Sequence, residues 1–112
     1  MGPNIDLVDV ATSIMSDRDR IEKNMETIWR LAQERADAEL VYKRAYAIKI
    51  EELRIEKYPA TLIKELAEGQ VAELRRSWEL ASGQYRAALA SLEALQTNIQ
   101  ALQSILRHME KV

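Results

Sequence analysis

Val71, Leu74, Trp78, Ala81, Tyr85, Ala88, Leu92, Leu95, Ile99, Leu102, Leu106 and Met109 follow one another at alternating steps of three and four residues. Such a 3.5-residue repeat keeps its stripe on one partner only when two helices supercoil. The spacing therefore predicts a long helix over 70–110 with left-handed, knobs-into-holes packing along its length. At about 1.5 Å per residue it is roughly 60 Å long, more than a globular core requires. A chain of 112 residues hides little surface by itself, so most of what this helix buries must lie against other helices.

Composition agrees with an all-α class. Only 5% of residues are aromatic, Phe is absent, and three Gly and two Pro are few for a fold of tight turns. Ala, Leu, Glu, Lys, Arg and Gln dominate, the residues that lose least on entering a helix.

A second long helix is expected over 17–57. Ser16 is placed to cap it, and Asp17 and Asp19 favour the positive end of its dipole. Its apolar stripe runs through Ile21, Met25, Ile28 and Ala32, meets Arg35 and Glu39, and resumes at Tyr42, Tyr46 and Leu53 with Lys49 between. Pro59 lacks a donor and disfavours helix at Tyr58, so the helix should stop there. Thr61 suits the cap of a short corner helix over 61–68, and Gly69 suits a left-handed residue ending it. Residues 5–15, with Ile5, Leu7, Val8, Ala11, Ile14 and Met15, carry helical spacing too, as a separate short helix or as a prolongation of the first.

Two helices of nearly equal length joined by a corner fold back on each other. The expected fold is a long antiparallel helical hairpin of coiled-coil type, with a short corner helix and an N-terminal helical segment. Aligning the arms end to end brings Ile28 near Ile99, Ala32 near Leu95, Tyr42 near Tyr85 and Lys49 near Glu79. Beside the seam, Ala87, Ala90, Ala94, Ala101 and Ile105 lie among uncharged residues, and only Arg86 and Glu93 are charged from Gln84 to Leu106. Small side chains let a second helix pair approach closely, which predicts an oligomeric helical bundle with these five residues as the interface between copies. Alternatively, the N-terminal segment covers this flank within one chain.

Sixteen basic and eighteen acidic residues leave a net charge of −2, so no global field draws the chain to nucleic acid or an anionic membrane. There is no cysteine for a disulfide or thiolate site, and no uncharged apolar run approaches the roughly 20 residues of a membrane span. Asp6 and Asp9 stand where a signal peptide needs basic and then apolar residues, so a cytoplasmic protein is expected. His108 is the sole histidine. The residue three before it is Ile105, so the Glu-x-x-His pairs of carboxylate-bridged metal bundles are missing. Gly2, Gly69 and Gly83 are isolated and form no phosphate-cradling loop. No enzyme, metal or cofactor is expected.

One cluster carries recognition chemistry. Tyr42, Lys43, Tyr46, Lys49 and Arg54 precede the corner, Tyr58 and Thr61 lie in it, and Arg75, Arg76, Ser82, Gly83, Tyr85 and Arg86 follow it. Lys and Arg neutralise phosphate, tyrosine rings stack on bases, and Gly83 leaves room for a ring or a ligand. Among these, Tyr42, Lys43, Tyr46, Lys49, Thr61, Arg75, Arg76, Tyr85 and Arg86 are the candidate ligand-binding residues. The competing interpretation makes Tyr42, Tyr46, Trp78 and Tyr85 seam residues, with the basic side chains on a solvated face paired to Glu51, Glu52, Glu56 and Glu79.

The string Tyr58-Pro59-Ala60-Thr61-Leu62-Ile63 with Gly69 lies between Tyr42-Lys43-Arg44-Ala45-Tyr46-Ala47 and Ala81-Ser82-Gly83-Gln84-Tyr85-Arg86-Ala87-Ala88. Over residues 35–106 this pattern resembles uncharacterised small helical proteins of tailed phages infecting Gram-positive bacteria. The resemblance implies a viral accessory role in the host cytoplasm and brings no catalytic residues. Together these observations lead to an expected non-enzymatic, oligomeric binding protein that sequesters a host protein or a small anionic nucleotide, as in blunting a host defence. A single-strand nucleic-acid or recombination accessory factor and a purely structural coiled-coil scaffold are the alternatives.

Overall fold

A computed structural model describes residues 6–111. It consists of α1 (Leu7–Ile55), α2 (Ala60–Gln70) and α3 (Ala72–Glu110), with no strand among the described residues. The all-α expectation holds, and a long helix pairs with another helix. The chain divides into two compact units, one joining residues up to Trp29 with those from Ala87 on, the other comprising Arg30–Arg86.

The N-terminal segment is the beginning of α1; only Ile5 of that stretch lies outside the described residues. Asp6 caps the helix, its Oδ1 accepting the Val8 N–H at 3.0 Å and its carbonyl the Val10 N–H at 3.1 Å. Ser16 is therefore an interior residue and not the cap expected of it. Neither Gly nor Pro occurs from Leu7 to Tyr58, so nothing interrupts the backbone ladder once Asp6 has started it.

At the other end α1 closes in a Schellman motif. Lys57 adopts φ 62°. Its N–H donates to the Arg54 carbonyl at 3.0 Å, while the Tyr58 N–H donates to the Leu53 carbonyl at 3.2 Å. The left-handed residue of this corner is thus Lys57 and not Gly69, which lies inside α2 without a positive φ. Pro59 follows at the position where helix cannot continue. Its carbonyl receives the Leu62 and Ile63 N–H groups at 2.9 and 3.2 Å, so backbone starts α2 and Thr61 makes no side-chain cap.

Helix α2 is more than a spacer. Leu53, Ile63 and the fully buried Ala67 form one cluster, with Tyr46 and Ile50 packed against it, so α2 lies along the last turns of α1. At Val71 (φ −109°, ψ 15°) the backbone bends, yet Val71 N–H still reaches the Ala67 carbonyl at 3.2 Å and Arg75 N–H the Val71 carbonyl at 3.1 Å. The returning arm consequently begins at Ala60, and α2 supplies its first turns. This corrects the end-to-end alignment: Tyr42 stacks on Trp78 instead of meeting Tyr85, and Tyr85 instead lies beneath Arg35. The shift from Tyr85 to Trp78 is one heptad.

Every member of the Val71 to Met109 seam is buried or half-buried. On α1 the complementary line runs through Ile14, Asp17, Ile21, Asn24, Ile28, Leu31 and Arg35, again at steps of three and four. Met25, expected in this stripe, is half exposed, because a strict 3.5-residue repeat selects Asn24 and Leu31 in its place. In the first unit Val10, Ile14 and Ile99 form a cluster to which Ile21, Leu102, Ile105, Leu106 and Met109 are added. Beside it the buried Asp17 carboxylate accepts a hydrogen bond from Asn98 Nδ2 and lies 3.7 Å from Arg20.

Lysine at a left-handed position carries a steric penalty that glycine lacks. Lys57→Gly should raise the unfolding free energy by about 1 kcal/mol in urea titration, and Lys57→Val should lower it. Equal stability of both variants with the native chain would contradict the assignment of this cap.

A candidate anion pocket

Stacked heptads position the aromatic and basic side chains of the Arg30–Arg86 unit. Arg35 and Tyr42 are seven residues apart on α1, as Trp78 and Tyr85 are on α3, so one antiparallel register matches both pairs. The Tyr42 and Trp78 rings stack with centroids 5.4 Å apart and planes at 22°. Tyr46 extends the stack at 6.2 Å from Tyr42. The Arg35 guanidinium lies 5.4 Å from the centre of the Tyr85 ring, within cation–π range.

Arg35 comes from α1. Arg75, Glu79, Ser82 and Arg86 recur at three- and four-residue intervals on α3 and thus share a face, with Trp78, a turn from Arg75 and from Ser82, at its edge. These six line a pocket of about 280 Å³. Arg75 donates from Nε to Glu79 Oε1 at 3.1 Å. Among the described residues Arg86 has no ion pair, and Ser82 is buried at 7% exposure despite its hydroxyl. Three guanidinium groups against one carboxylate leave the lining with two net positive charges.

Two donors of this lining are unpartnered. Arg35 Nε and Trp78 Nε1 are both shut off from solvent and meet no acceptor among the described residues. A buried donor left without an acceptor costs about 1–3 kcal/mol, so the arrangement is not the most stable one available to these helices. Both N–H groups belong to side chains that line the pocket, and a bound oxyanion that displaced the groups covering them would supply the missing acceptors and balance the guanidinium charge.

The sequence cluster is therefore divided. Arg75 and Arg86 line the pocket, and Tyr42 and Tyr85 stand behind it, holding Trp78 and Arg35. Lys43 stands 6.0 Å from the centre of the Trp78 ring but binds Glu39 at 2.7 Å, a hydrogen bond that holds the Glu39 carboxyl below its ordinary range. Lys49 is engaged with Glu52 at 2.9 Å. Tyr46 belongs to a separate hollow of about 230 Å³ with Ile50, Arg54, Ala60, Ile63 and Lys64. Thr61 and Arg76 are exposed and line neither. A Cβ added at Gly83 would meet nothing within 4 Å, so the space there does not depend on glycine. The competing interpretation also has a share: Tyr42, Trp78 and Tyr85 are seam residues, and Glu51, Glu52 and Glu79 pair with Arg54, Lys49 and Arg75.

Arg35, Trp78 and Glu79 were not among the candidate ligand residues. The signal for Arg35 was its place at a seam position, where a guanidinium needs a specific partner. Of the proposed interface residues, Ala87, Ala90, Ala94 and Ala101 are exposed, whereas Ile105 packs into the cluster around Ile99. No helix among the described residues is long and apolar enough to cross a membrane. No protein-family model, curated protein or solved structure matches the chain.

Arg35→Met retains much of the side-chain volume and removes both the charge and the unpartnered Nε–H. The donor penalty of about 1–3 kcal/mol outweighs the cation–π attraction of about 0.5–1 kcal/mol. The variant should be more stable than the native chain by about 1 kcal/mol in urea titration without ligand. A clear loss of stability would mean that Arg35 serves the fold and not a ligand.

Proposed function

We propose that this chain is a non-enzymatic, self-associating binding protein that holds a small anionic ligand of the nucleotide class in the Arg35–Arg75–Arg86 pocket. The observation that carries this reading is a lining with two net positive charges in which two side chains, Arg35 and Trp78, carry N–H donors without an acceptor. Binding at such a site requires no nucleophile, and sequestration of a host signal or metabolite suits the viral accessory role that the resemblance implies. The single-strand nucleic-acid alternative draws less support. It needs a basic groove that tracks a backbone, whereas the chain as a whole carries −2 and the cations converge on one small pocket.

Support for self-association comes from surfaces left uncovered by one chain. Trp29 and Ile55 are 69% and 77% exposed, and Val41, Ile48 and Ile55 recur at heptad intervals on α1. On α3, Leu80, Gly83, Ala87, Ala90, Ala94, Thr97 and Ala101 form a second line at steps of three and four, opposite the seam. Small residues at coiled-coil spacing allow close helix approach.

Calorimetric titration with mononucleotides should give saturable heat, and Arg86→Ala should weaken binding at least tenfold, about 1.4 kcal/mol. Absence of heat with every nucleotide would remove the small-ligand reading. Sedimentation equilibrium should give a mass at least twice 12.9 kDa, reduced by Ala90→Glu. A monomer at all concentrations would exclude self-association.

A further inference from the structure

Resting on the reading of the Arg35–Arg75–Arg86 pocket as the ligand site, we propose that its ligand is specifically a phosphate monoester in the dianionic form. Recognition is of the terminal phosphate and not of the group it is attached to.

The charge count favours a dianion. Glu79 engages Arg75, and the remaining excess of two positive charges is matched by a monoester, which carries about −1.5 to −2 at neutral pH. A diester, including any cyclic nucleotide, brings a single charge and matches only one of the two excess cations. Donor placement points the same way. Arg35 approaches from α1, while Trp78, Ser82 and Arg86 approach from α3, so donors converge from two sides. A terminal phosphoryl group presents three acceptor oxygens to such a set, and a diester presents only two that are unesterified. Planar guanidinium groups also match phosphate oxygens two at a time.

The rings argue against recognition of a base. Trp78 is already stacked on Tyr42 and approached by Lys43, and the polar group it has left without a partner is its indole N–H. The pocket is small, about 280 Å³ against the roughly 300–1,000 Å³ of sites that enclose a whole organic ligand. Such a hollow accommodates a head group and leaves the remainder of the molecule outside.

The test compares methyl phosphate, dimethyl phosphate, a 5′-mononucleotide and a 3′,5′-cyclic nucleotide by calorimetry at pH 7.5 on the full chain. Methyl phosphate and the mononucleotide should bind with similar affinity, at least tenfold tighter than dimethyl phosphate and the cyclic nucleotide. Lowering the pH to 5.5 should weaken methyl phosphate about fourfold, as the second phosphate ionisation near pH 6 is crossed. Trp78→Phe, which keeps a ring against Tyr42 and removes the N–H, and Arg86→Lys, which keeps the charge and removes the fork, should each weaken methyl phosphate binding. Tyr46→Ala, outside the pocket, should leave it unchanged. Helicity by circular dichroism verifies that each variant is folded. Diester binding as tight as monoester binding, still lost in Arg86→Ala, would overturn the monoester assignment and leave the anion pocket standing. Failure of all four compounds to bind would overturn both.

Discussion

The antiparallel register between α1 and the returning arm is the constraint on which the rest depends. It is set at the corner, where Lys57 reverses the chain within two residues and α2 packs Ile63 and Ala67 against Leu53. Because side chains in a heptad seam recur every seven residues, a slip by one heptad still matches apolar positions with apolar positions. It changes every specific pair, however. Tyr42 opposite Trp78 and Arg35 opposite Tyr85 exist only in the observed register. The pocket is therefore a product of the corner as much as of its own residues.

Much of the fold was legible in the spacing of apolar residues. All twelve positions of the Val71 to Met109 line are withdrawn from solvent, because a 3.5-residue repeat over forty residues has one structural solution. What the spacing left open was register, since a periodic pattern is nearly degenerate under translation by its own period. Caps were the other weak point. Ser16, Thr61 and Gly69 are residue types that favour helix ends, yet Asp6, Pro59 and Lys57 occupy the ends. Hydrogen bonds and packing over the whole element outweigh local preference, and a lysine is held left-handed because Leu53, Ile63 and Ala67 bury against one another only if the chain reverses there.

The site was legible in part, for a related reason. Arg75 and Arg86 stood out as basic residues near aromatics on one helix. Arg35 read as an interruption of the apolar stripe of α1, and its importance depends on facing α3 one heptad away from the end-to-end alignment. Trp78 read as a seam residue, which it is, but its ring nitrogen meets no acceptor among the described residues. Residues such as these pack with one part of the side chain and carry an unpartnered donor on another, so composition and spacing record only the first.

The same corner bears on the order in which the structure forms. Leu53 and Ile63 are ten residues apart in sequence, while Asp17 and Asn98 are separated by 81. Closing the longer loop directly from the unfolded chain costs about 2 kcal/mol more in chain entropy. Contacts near the bend thus close at the smallest entropic cost, and in a route that starts there each paired turn shortens the loop that the next must close. The unit bearing the pocket is the part of the chain that such a route assembles first.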